Sequence, residues 1–109
     1  MALIVYTHAA KNVTTAGTRV QIDTEKRPCT TIVLQAKNSN TGLIYVGDSS
    51  VAASNGLELK AGESLSITGD NRNEGQSDEV VLADLWIDAA VNGEGVKVAY
   101  YKKRDNGIL

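Results

Sequence analysis

The chain holds one histidine, one cysteine and one tryptophan, so its options for side-chain chemistry are few. A Ser or Cys nucleophile needs a base beside it, yet the only histidine, His8, lies among small residues near the start, and no triad is expected. The GDSSV stretch at 47–51 lacks the closing glycine of a nucleophile elbow and reads as turn chemistry. Cys29 follows Pro28 with no cation evidently placed to activate it, and reads as a small buried or loop thiol. Asp84 and Asp88 would share one strand face, and glycosidases work with two acids at a fixed separation. Solvated strand faces, however, carry carboxylates for solubility in any case. The acidic stretch GDNRNEG at 69–75 has the look of a calcium loop interrupted by Arg72, whose cation opposes a bound metal. Neither a Walker spacing nor a dinucleotide fingerprint can be placed on any glycine. The expectation is a protein without catalysis, metal or cofactor, in which recognition is the chemistry to look for.

The elements that must position any recognition surface are strands. Apolar residues recur at a spacing of two in short runs bounded by Gly, Asn, Asp and Ser. Over Thr30 to Lys37, Ile32, Leu34 and Ala36 share one face, which predicts a half-buried strand. Asn38 to Gly42 is turn-forming and Leu43 to Gly47 resumes the extended pattern, predicting a hairpin. Leu57 and Leu59, a turn at Lys60 to Glu63, then Leu65 and Ile67 predict a second. Val80 to Ala89, a Gly-rich turn at Val91 to Gly95, and Val96 to Lys102 predict a third. An earlier strand runs through Val20 and Ile22 to a turn at Glu25 to Pro28. Gly69 to Asp78 is polar without an apolar anchor and reads as a mobile loop that could order on docking. The fold class expected is all-β: an antiparallel, jelly-roll-like β-sandwich forming a single domain over 1–109, with 1–15 as an N-terminal arm or strand.

Two features stand out on that scaffold. If Leu85 and Ile87 face the core, Trp86 must face outward between Asp84 and Asp88, either covered by a neighbouring segment or serving as a contact anchor. Ala2 to Tyr6 is apolar on both faces, so it should be covered twice: enclosed by both sheets, or docked with one face on another chain. The candidate interaction residues are therefore Leu3, Ile4, Tyr6, Tyr45, Trp86 and Tyr101.

Composition sets the outer limits. A chain of 109 residues with 42% hydrophobic and 22% charged side chains suits one compact domain. With 11 basic against 13 acidic side chains the net charge is -2, which gives no electrostatic drive toward nucleic acid or an anionic membrane. One thiol cannot close an intrachain disulfide. The opening MALIVYTHAAK has no basic start, and its apolar run is too short for a signal or a span, so synthesis in the cytoplasm is expected. Lys102, Lys103 and Arg104 form a short basic tail, read as solvated or as facing an acidic partner.

Three stretches together, NTGLIYVGDSSV at 40–51, GLELKAGESLSI at 56–67 and LADLWIDAAVNGEGVKVAYY at 82–101, resemble small tailed-phage virion structural proteins. The likeness runs from about Thr30 to Lys102 and consists of turn formers and core apolars, with no catalytic motif to carry over. It implies a head decoration, cement or head-fibre component with a β-sandwich or jelly-roll fold. The absence of an added fibre, coiled-coil or enzymatic segment favours a compact cap. The resemblance thus implies a capsid decoration protein on the virion exterior, made in the bacterial host's cytoplasm, with the major capsid protein as partner and a homotrimer as the assembly. The alternative is a tail or surface module that recognises host glycan, with Trp86 or Tyr45 as stacking platform and Asp48 or Asp84 for hydroxyls.

Overall fold

The computed structural model describes residues 3–26, 28–69 and 80–103, excepting the side chains of Leu3, Ile4 and Lys103. Most of the loop expected at Gly69 to Asp78, and Arg104 of the basic tail, lie outside the described residues. The strands are β1 (Leu3–Asn12), β2 (Val20–Gln21), β3 (Pro28–Cys29), β4 (Thr31–Ala36), β5 (Ile44–Gly47), β6 (Leu57–Leu59), β7 (Ser64–Thr68), β8 (Val80–Val81), β9 (Trp86–Ala89) and β10 (Gly95–Lys103). Every ladder is antiparallel. The first sheet has the order β1-β10-β4-β7, the second β2-β9-β5-β6, and β3 with β8 forms a short two-stranded pair.

Alternation builds the core. On β4, Ile32, Leu34 and Ala36 are fully buried while Thr31, Val33 and Gln35 are half-buried, as the spacing predicts. Val96, Val98 and Tyr100 of β10 join them from the same sheet. From the second sheet come Ile44, Val46, Leu59, Ile87 and Ala89, and the two inward faces make one cluster. The expected all-β antiparallel sandwich is therefore the architecture observed.

The expected pairing of neighbours is not. Hairpins are predicted for β4 with β5, β6 with β7, and β9 with β10, but the members of every pair lie in opposite sheets. The turns between them are corners of the sandwich, and the consecutive strands that do pair across a loop are β5 and β6. Alternation reports that one face of a strand is buried; it carries no information on which strand lies alongside. A second difference falls within Val80 to Ala89, where a 3₁₀ turn at Leu82–Asp84 interrupts the extended chain. Leu82 and Ala83 are both buried, and a strand cannot send adjacent side chains to the same core.

Side chains staple the corners together. Asn40 donates from Nδ2 to the Gly95 carbonyl at 2.9 Å. Glu94 accepts the Gly42 N–H at 2.9 Å, the Thr41 N–H at 2.7 Å and the Thr41 hydroxyl at 2.9 Å, joining the β4–β5 corner to the β9–β10 corner. The Gly42 N–H, with the N–H and hydroxyl of Thr41, holds the Glu94 carboxyl below its ordinary value against the opposing effect of desolvation. A carboxyl depressed on folding contributes stability above the ordinary carboxylate range and loses it as the pH falls through the folded value. Thermal melts of the protein and of Glu94→Gln between about pH 7 and pH 3 should show the variant losing less of its melting temperature on acidification, because part of the pH-sensitive staple is already gone.

Candidate interaction surfaces

Ile87 of β9 is fully buried, so its neighbours Trp86 and Asp88 fall on the outer face of the second sheet. Trp86 stands opposite Gln21 on one side and Gly47 on the other, and is half-buried. Two loops flank it. Residues 13–19 arch over β9, held by the Gly17 N–H on Asp88 Oδ1 at 2.9 Å and the Ala16 N–H on Asn92 Oδ1 at 2.7 Å. Gly17 adopts φ of 90°, a left-handed conformation that favours glycine. Residues 48–56 form the other wall: Asp48 Oδ1 accepts the N–H and the hydroxyl of Ser50, at 2.9 and 2.7 Å. Between them lies an open cleft of about 620 Å³ lined by Gly17, Thr18, Arg19, Ser49 and Trp86.

The charges around this cleft are unequally engaged. Asp48 is held below its ordinary value first by the Ser50 hydroxyl and N–H, with Arg19 adding a smaller Coulombic contribution. Asp88 is 3% exposed, and its Oδ1 also accepts the Ala89 N–H at 2.8 Å. Arg19 is exposed and makes no ion pair among the described residues.

Other expected site residues are placed differently. Tyr45 shares the outer face with Asp88 but is only 7% exposed, because the 48–56 loop folds back over it. A Cβ built on Gly56 would lie 2.8 Å from both Tyr45 Cβ and Val51 Cγ2, which shows how closely that loop is seated. Tyr45 is thus a packing residue and offers no open platform. Asp84 and Asp88 do not share a strand face: Asp84 belongs to the 3₁₀ turn, and Asp88 is committed to backbone donors. Cys29 is buried and donates to the Val80 carbonyl at 3.5 Å. Among the described residues no cluster of three His, Cys, Asp or Glu is placed to hold a metal.

The second surface is the β1 side of the first sheet. The start of β1 is not enclosed by both sheets: among the described residues β1 is an edge strand that pairs with β10 alone. Leu3 and Ile4 stand opposite Lys103 and Lys102 in the ladder, and their side chains are outside the described residues. Val5 is 58% exposed on the outer face beside half-buried Tyr101, whereas Tyr6 stacks on Tyr100 with ring centroids 5.1 Å apart. His8 Nε2 lies 3.2 Å from Asp23 Oδ2 and ties β1 to the chain beyond β2. Two outward rows, Val5-Tyr101-Thr31-Thr68 and Thr7-Ala99-Val33-Ser66, carry no charge.

The backbone of β1 is directional too. The carbonyls of Gly95 and Tyr101 accept the N–H groups of Lys37 and Thr30, so odd residues of β10 point toward β4 and even ones toward β1. On β1 the even residues Ile4, Tyr6 and His8 therefore face β10, and the N–H and C=O of Val5 and Thr7 face the open edge.

No family model, curated protein or solved structure matches the chain. Arg19 and Ser49 join Trp86 in the cleft although nothing local in the sequence marks either of them. Asp88→Ala is expected to release the 13–19 loop. It should cost about 1–3 kcal/mol in denaturant unfolding, as befits a buried acceptor lost from two N–H donors, and shift the emission of the single tryptophan in the native state.

Proposed function

We propose that this protein is an adhesive structural module, a bacteriophage capsid decoration or cement protein that binds the assembled shell of major capsid protein from outside. The observation that carries the reading is the edge of β1, which no other described strand covers. It presents the paired N–H and C=O groups of Val5 and Thr7, is uncharged from Leu3 to Thr7, and lies beside the exposed Val5 side chain. An edge of this kind accepts a further strand from a partner through main-chain hydrogen bonds. The resemblance of the three stretches to phage virion proteins gives the partner. The interleaved order β1-β10-β4-β7 over β2-β9-β5-β6 supports the jelly-roll form that the resemblance implies.

Adhesion of this kind gains from repetition. A homotrimer at local three-fold positions would let several modest sites engage one shell at once, raising avidity without new contacts. Trp86 is a natural additional anchor, since half-exposed indoles concentrate contact energy.

A second reading, glycan recognition, is favoured by the Trp86 cleft, where an aromatic residue and two hydroxyl residues, Thr18 and Ser49, line the same opening.

The edge reading is tested on particles. Thr7→Pro removes an N–H that faces the open edge and leaves the β1–β10 bonds in place. Decorated particles prepared with this variant should show at least about a tenfold fall in binding at limiting concentration, with the isolated protein still folded by circular dichroism. Particles without the protein should release DNA at lower temperature. Unchanged occupancy by the variant, or equal DNA retention without the protein, overturns the proposal.

A further inference from the structure

We infer that the Trp86 cleft selects a carboxylate-bearing sugar, such as a uronate or sialate, over its neutral counterpart, with Arg19 as the partner of the carboxylate. The inference rests on the glycan-binding reading of the cleft and adds the charge of the ligand to it.

Of the side chains lining the cleft, Arg19 alone carries a formal charge. The carboxylates nearby are engaged in holding the walls: Asp48 accepts both donors of Ser50, and buried Asp88 accepts the N–H groups of Gly17 and Ala89. Asp48 is near enough for Arg19 to lower its carboxyl slightly, yet no ion pair forms between them. Among the described residues the guanidinium makes no hydrogen bond or ion pair, and it lies at the rim of the open cleft. A planar guanidinium matches a carboxylate through two parallel hydrogen bonds, which a neutral hydroxyl cannot reproduce.

The rest of the lining fits a sugar. An indole supplies an apolar contact for the C–H face of a pyranose, and Thr18 and Ser49 supply short-range hydrogen-bonding groups around it. The cleft is shallow and open to solvent, so a sugar would lie across it against the indole without being enclosed. An acidic peptide would satisfy Arg19 but would gain less from an indole flanked by hydroxyls. The edge proposed to accept a partner strand lies elsewhere, on β1 of the other sheet.

Trp86 is the only tryptophan, so its fluorescence reports on this cleft alone. The full chain is titrated with trigalacturonate against its methyl ester, with sialyllactose against lactose, and with a hexaglutamate peptide. The expected result is saturable binding of at least one acidic sugar, about tenfold or more tighter than its neutral counterpart and weakened by salt. Arg19→Gln should bring the acidic sugar down to the affinity of the neutral one, and Arg19→Lys should recover part of the difference. Melting curves of both variants show whether the fold is intact. Equal binding of acidic and neutral sugars, unaffected by Arg19→Gln, overturns the charge selectivity and leaves the glycan reading standing. No response to any sugar, by fluorescence or by NMR shifts of the Trp86 indole, overturns both. Peptide binding as tight as that of the sugar overturns the assignment of the ligand as a saccharide.

Discussion

Two sheets close on a single core, and because side chains on a strand alternate, each residue that turns inward sends its neighbours out. Ile87 in the core is the reason Trp86 and Asp88 are outside, and Tyr100 in the core is the reason Tyr101 is outside. Each buried Ile, Leu or Val contributes about 1.5–3 kcal/mol relative to exposure, whereas a typical loop hydrogen bond contributes about 1 kcal/mol net. The core therefore decides the register, and the outer surfaces inherit it. Moving either strand by one residue would exchange the core for the interaction surface.

The loops work within that register. Because consecutive strands so often change sheets, the connections run over the ends of the sandwich, where their backbone N–H and C=O groups need partners. Glu94, Asn40, Asp48 and Asp88 supply them. This assigns the carboxylates near the cleft a structural task, and the Arg19 guanidinium, although within reach of the Asp48 charge, makes no ion pair among the described residues. A charge count over the whole sequence averages away what local hydrogen bonding separates.

Legibility in the sequence tracks the range of the interaction. The face pattern of β4, the outward placement of Trp86 and the all-β class depend on period-two spacing and can be read directly. The partners of each strand cannot, since Asn38 to Gly42 has the same turn chemistry whether it folds a hairpin or turns a corner between sheets. Tyr45 shows a related failure: its parity puts it on the outer face, but only the return of Val51 and Gly56 over it makes it buried. The pairing of Asp84 with Asp88 is lost to two adjacent apolar residues, Leu82 and Ala83, which require a turn where the alternation suggests strand. Arg19 meets Ser49 and Trp86 across distances in sequence that no short motif spans.

The two surfaces use separate parts of the scaffold. The β1 edge offers backbone groups in the plane of the first sheet, while the cleft opens on the outer face of the second, and no residue lines both. Addition of a strand at β1 would extend a ladder already held by β10 and would leave the loops at 13–19 and 48–56 untouched. The sites are nonetheless connected: β1 runs on into the 13–19 loop that walls the cleft, and His8 on β1 contacts Asp23 beyond β2, which stands next to β9 and Trp86. Val5 and Thr7 lie toward the end of β1 away from the 13–19 loop, so a strand added there would meet the edge without reaching the wall of the cleft.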